Sequence, residues 1–189
     1  MQEQKFMTAE KLLAIHADLK KMGVTIYLDG GWGTDALLGE ETRPHKDVDF
    51  FIEKKNLEEV RQYFFDRGFK PSEEESSTWW HFLLENTDSI VDIHVIDFDS
   101  SGRGVYGPPE NGAVFPADAF TGIGHVNDVE VLCLSADYRV LCLTVAYGVI
   151  TRTGYTLKET DYQDIEKLCN KFNIDMPPEY IINRKKLKA

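Results

Sequence analysis

Leu12, Leu13, Ile15, Leu19 and Met22 recur at three- and four-residue steps, the spacing of a helix that buries one face. Thr8 suits its N-cap and Gly23 its end. The apolar run Val24–Leu28 then reads as a strand and leads straight into Gly30-Gly31, after which Trp32–Leu38 suits a short helix stopped by Gly39. A polar loop, Glu40–Lys46, precedes a second strand in which Val48 and Phe50 alternate with Asp47 and Asp49. Asn56 with Glu59 three residues on has the form of a capping box, opening a helix that should close near Gly68. Two β-rich runs follow, Trp79–Glu85 and Ile90–Phe98, joined by a turn at Asn86-Thr87-Asp88. Residues Ser100–Gly124 read as a long ordered loop with short strand pieces, and Val126–Leu134 as a strand pair turning at Asn127-Asp128. Ser135 should cap an apolar helix running to Val149, and Asp161–Phe172 forms a last amphipathic helix. This order predicts an α+β fold with a mixed sheet first and helices last. Residues 1–134 carry the sheet, 135–175 are a helical part of the same compact unit, and 176–189 are a tail.

Composition narrows the class. The 189 residues, 42% hydrophobic and 12% aromatic, suffice for a real core in one globular unit. A net charge of −11 argues against a stable nucleic-acid partner or an acidic lipid surface and is compatible with a small cationic ligand. Cys133, Cys142 and Cys169 show no metal or redox spacing and read as reduced, buried thiols of a cytoplasmic protein. The N-terminal segment has no apolar signal core, and Val140–Ile150 is too short to span a bilayer, so no membrane role is expected. A homodimer is compatible with everything above.

The chemistry begins at Asp47-Val48-Asp49. On a strand the two carboxylates share one face, where they repel unless a cation or proton relieves them. A hard divalent ion with oxygen ligands, Mg²⁺ above all, is the simplest relief. In Val91-Asp92-Ile93-His94-Val95 the aliphatic side chains alternate inward and leave Asp92 and His94 on one polar face. An Asp there is costly unless paired or bound to a cation. Three carboxylates from two strands can hold two Mg²⁺ ions for phosphoryl transfer, with Asp92 placed to accept a proton from an incoming hydroxyl. Gly30 and Gly31, between a strand and a helix N-terminus, let the backbone approach phosphate closely.

With these motifs in hand, the chain resembles the nucleotidyltransferases of the DNA polymerase β superfamily, which carry a Gly-Gly or Gly-Ser turn, then Asp-x-Asp, then a third strand carboxylate. LDGGWGTDALLGEETRPHKDVDFF is more closely similar to the small antibiotic nucleotidyltransferases that modify lincosamides and aminoglycosides, and the similarity continues through VDIHVI and GYTLKETDYQDIEKL. The resemblance implies the polymerase β-like fold. It also implies that Asp47, Asp49 and Asp92 bind Mg²⁺, that Asp92 acts as base, and that Gly30 and Gly31 receive the phosphates of a nucleoside triphosphate, ATP in the first instance. Lys158, Asp161 and Asp164 match a helical element that faces the nucleotide or the acceptor.

The activity expected is transfer of AMP from ATP to a hydroxyl of a small cationic antibiotic, with release of pyrophosphate. Two rivals use the same residues. One changes the acceptor to a protein or tRNA end. The other takes His45, Asp47, Asp49 and His94 as a transition-metal hydrolase site. Several residues also have plain structural readings: His45 and His94 as hydrogen-bonding groups, Arg43 and Lys46 as members of a solvated loop, and Trp32, Trp79 and Trp80 as core.

Overall fold

The computed structural model describes residues 6–72, 77–144, 157–178 and 180. Its elements follow the apolar pattern closely. Helix α1 (Ala9–Lys21) starts at Thr8, whose hydroxyl oxygen accepts the Lys11 amide at 3.4 Å. Strand β1 (Ile26–Asp29) runs into α2 (Gly30–Leu38), so the helix begins at the glycine pair itself. Strand β2 (Asp47–Glu53) is followed by a 3-10 turn, Lys54–Asn56, and then α3 (Leu57–Phe65). That turn overturns the expected capping box. It sets Asn56 at φ −98°, ψ 0°, away from the extended geometry of a cap, and its side chain makes no capping bond.

Strands β3 (Lys70–Pro71), β4 (His81–Glu85) and β5 (Ile90–Phe98) come next. The β4–β5 turn is tied by Asn86, whose Oδ1 accepts the amides of Asp88 and Ser89, both at 2.9 Å. The long loop contains β6 (Gly104–Tyr106) and β7 (Ala113–Phe115). Strands β8 (Gly122–Val126) and β9 (Val129–Cys133) turn at Asn127-Asp128 as expected. Helix α4 (Ala136–Leu143) is shorter than the apolar run suggested, because Thr144 leaves the helix at ψ 138°; the expected stretch 145–149 lies outside the described residues. Helix α5 (Glu159–Phe172) ends on left-handed Asn173.

The described strands form one mixed sheet in the order β3-β4-β5-β2-β1-β9-β8, with β6 and β7 continuing from β5. β2 lies at its centre, antiparallel to β1 and parallel to β5. Strands β4 and β6 divide one edge of β5 between them: β4 pairs with Ile90–His94 and β6 with Ile96–Phe98. One face of the central pair carries Val48, Phe50, Ile52, Val91, Ile93 and Val95, all buried in the main core with side chains from α1, α3 and α5. The other face carries Asp47, Asp49 and Asp92 at one end. At the other end it carries Phe51 and Ile96, which join Phe115, Phe120 and Leu134 in a second, smaller cluster. Trp32 is buried and Trp79 and Trp80 pack against the main core, as their structural reading required. Cys133 and Cys169 are buried, Cys142 is partly so, and all three are unbridged.

Candidate active site

Strand register assembles the acidic residues. Asp49 on β2 pairs with Asp29 on β1 and with Asp92 on β5, so three carboxylates stand in one row across three strands. Opposed residues of the antiparallel β1–β2 pair have Cβ atoms roughly 4.5–5.5 Å apart, and neighbouring strands of either sense lie about 4.7–4.9 Å apart. Asp47, two residues back on β2, shares the face of Asp49.

The row is electrostatically unfavourable without a cation. Burial, then Asp92, raises the Asp47 pKa above the usual carboxylate range; burial, then Asp92, Asp47 and Asp29, raises that of Asp49 well above it. All-oxygen donors under like-charge repulsion are the donor set a hard divalent ion takes, so Asp47, Asp49 and Asp92 fit Mg²⁺ by their chemistry.

The glycine turn is built against this row. Gly30 sits at φ +60°, and a Cβ there would collide with the Asp49 carboxylate. Only glycine meets both demands. A Cβ on Gly31 would strike the His45 ring in the same way. The two motifs, separate in sequence, are therefore in contact, and the first amides of α2 lie beside the carboxylates.

Two residues of this region escaped the sequence reading, Asp29 and Arg139. Asp29 is 6% exposed and occupies the N-cap position of α2, but its side chain makes no capping hydrogen bond. Arg139 of α4, 4% exposed, brings Nη1 to 3.2 Å from Asp29 Oδ1 and donates from Nε to Thr34 Oγ1 at 3.0 Å. Thr34 in turn donates to the Gly30 carbonyl at 3.2 Å, so one buried guanidinium braces the β1–α2 turn. The Asp29–Arg139 contact is an ion pair by distance, and Asp29 Oδ1 accepts no hydrogen bond among the described residues. A lone Arg directly before the apolar stretch Val140–Leu143 of α4 was the available signal.

The loop before Asp47 is fastened at several points. Asp35 accepts the Thr42 amide and hydroxyl at 2.9 and 2.7 Å and faces His45 Nε2 at 2.6 Å. Arg43 is not in a solvated loop: it makes a two-pronged pair with Asp164 of α5 at 2.7 and 2.8 Å. The structure thus places Asp164, 1% exposed, against Arg43, and places Lys158 at the N-terminus of α5, where its amide donates to Asp161 Oδ2 at 2.8 Å. Lys46 is exposed. His45 faces Asp35, whereas His94 groups with His81 and Asp92, whose donor atoms lie within 4.8 Å of one another.

Asp92 has His94 beside it, as the strand alternation predicts, and also His81, which the alternation did not place. His81 Nε2 lies 2.9 Å from Asp92 Oδ1 and His94 Nε2 3.5 Å from it. His94 Nδ1 is 3.1 Å from the Tyr106 hydroxyl. Counting back from the Asn86 turn would have set His81 opposite His94. The long loop also lines a cavity of about 240 Å³ between Lys54, Trp79, Phe98, Val105 and Pro109, with Asp97 and Asp99 in its wall, at the far end of β5 from Asp92.

Residues 11–168 match the family model for aminoglycoside-2''-adenylyltransferase. A lincosamide resistance protein of Staphylococcus haemolyticus is 31% identical over 169 residues, covering 86% of this chain and 94% of that protein. The crystal structure of the lincosamide antibiotic adenylyltransferase LnuA with lincomycin bound matches with a TM-score of 0.72 and 29% identity, over 90% of this chain and 100% of that one. ANT(2'')-Ia in complex with adenylyl-2''-tobramycin shares the fold with a TM-score of 0.68 at 18% identity, covering 95% and 96% of the two chains. Among the described residues, no helix is long and apolar enough to cross a membrane.

Proposed function

The chain belongs to the aminoglycoside-2''-adenylyltransferase family, and from that premise we propose that it moves AMP from Mg²⁺-ATP to a hydroxyl of a lincosamide or aminoglycoside, releasing pyrophosphate. The observation that carries the proposal is the row Asp49–Asp92, with Asp47 beside it and Gly30 packed against Asp49. Asp47, Asp49 and Asp92 would hold the metal. Bound there, Mg²⁺ supplies charge neutralisation and polarisation of the phosphates. The α2 N-terminus offers amides and a favourable dipole to the triphosphate. Asp92 takes the proton of the acceptor hydroxyl; that oxygen bonds to the α-phosphorus as the bond to the pyrophosphate oxygen breaks.

Between acceptor classes, a lincosamide is favoured. A relative at 31% identity is a lincosamide resistance protein, whereas ANT(2'')-Ia at 18% identity shares the fold; the family model, named for an aminoglycoside enzyme, keeps that acceptor as the alternative. Incubation with Mg²⁺-ATP and either lincomycin or tobramycin, read by mass spectrometry, should show an antibiotic carrying one added AMP. Asp92→Asn should lose at least about a hundredfold in rate, the lower end for a positioned base. Wild-type protein that modifies neither drug sinks the proposal.

A further inference from the structure

Asp92 is gripped from the neighbouring strand. In the β4–β5 register His81 pairs with His94 and Leu83 with Asp92, so His81 lies diagonally across from Asp92, a distance an aromatic side chain spans. The two imidazoles stack with centroids 4.8 Å apart and planes 5° from parallel, and both turn Nε2 toward the same oxygen, Asp92 Oδ1. Behind them the Tyr106 hydroxyl meets His94 Nδ1, and the Phe51 ring lies 5.0 Å from the His94 ring, which fixes that imidazole from two sides.

A carboxylate hydrogen-bonded at one oxygen by one ring, with a second ring nitrogen 3.5 Å from that same oxygen, is restricted in its rotation about Cβ–Cγ. The direction of its second oxygen is then set as well. That matters for a base, which must meet its proton within about 2.6–3.2 Å, and a misplacement of about 1 Å can cost a hundredfold in rate.

Given the role proposed above for Asp92, the geometry points to His81 as a positioning residue that works with His94 to aim the Asp92 carboxylate at the acceptor hydroxyl. His81 need not touch nucleotide or drug to do this. Its effect falls on the chemical step and not on ATP binding.

Steady-state kinetics with Mg²⁺-ATP and whichever of lincomycin or tobramycin takes up AMP test the inference. His81→Ala should lower kcat by roughly 10–100-fold, the loss typical of removing a partner that orients a metal-site ligand, with KM for ATP within about twofold. His81→Gln, which keeps an N–H donor at similar reach, should recover most of that loss. His81→Leu fills the space without a donor and should behave like the Ala variant; it also serves if the Ala variant does not fold. Wild-type kcat in His81→Ala, beside an inactive Asp92→Asn, overturns the inference and leaves the function standing. Equal kcat loss in the Ala and Gln variants, tracking a fall in unfolding midpoint, also overturns it. An active Asp92→Asn removes the role of Asp92 and the inference with it.

Discussion

The two faces of the β2–β5 pair are built from the same seven-residue strand register and obey opposite rules. On one, Val48, Phe50, Ile52, Val91, Ile93 and Val95 are buried among helices, and stability comes from removing apolar area from water. On the other, Asp47, Asp49 and Asp92 crowd carboxylates together at a cost, and Phe51 and Ile96 bury the remainder of that face. The crowding is tolerable because the first face holds the backbone in place whether or not the second is satisfied. A site of this kind stores repulsion that a cation can release.

The sharpest way to break the contrast uses neighbouring phenylalanines. Phe50→Ala should cost about 3–5 kcal/mol in urea unfolding, the usual loss for an emptied aromatic core site, while kcat per folded molecule changes little. Phe51→Ala should lose stability similarly but also lower kcat, because Phe51 backs His94. If both variants alter kcat equally, the two faces are not separable.

A smaller effect is expected at the seam between them. Gly30→Ala places a methyl against Asp49 at a left-handed backbone angle, a cost of roughly 1–2 kcal/mol from conformation alone. It should lower the unfolding midpoint by a few degrees and weaken ATP use more than it weakens folding. Unchanged kcat/KM for ATP would mean that the turn does not serve the nucleotide.

The smallest effect concerns pH. In chelator, Asp49 has a folded pKa above its unfolded value, so the unfolded chain ionises first as pH rises, and stability is lost from about pH 4 upward through the folded pKa. Asp49→Asn should therefore melt higher than wild type at pH 7, with the difference vanishing toward pH 4. Thermal scans showing no gain at pH 7 would contradict the stored repulsion.

Features governed by local periodicity were readable from the chain. The two-residue repeat set Asp47 and Asp49 on one face, and the same repeat set Asp92 beside His94. Gly30-Gly31 was visible because a strand ran into it. What escaped depends on pairing between distant segments. Asp29 joins the row only because β1 and β2 pair Asp29 with Asp49, and Arg139 reaches it from a helix more than a hundred residues later. His81 needed the hairpin register, and Arg43 needed α5 as partner. The Asn56 cap was misjudged because a 3-10 turn, invisible to helical spacing, precedes α3.

The shared edge of β5 has a consequence for how such a chain can vary. Because β4 accompanies the half that bears Asp92 and β6 the half that follows His94, the segment between β6 and β7 hangs from a different stretch of backbone than the base does. Insertions or deletions there can reshape the surroundings of the sheet without slipping the register that aligns Asp49 with Asp92. Diversification of the periphery and constancy of the reaction centre are thus mechanically uncoupled along a single strand.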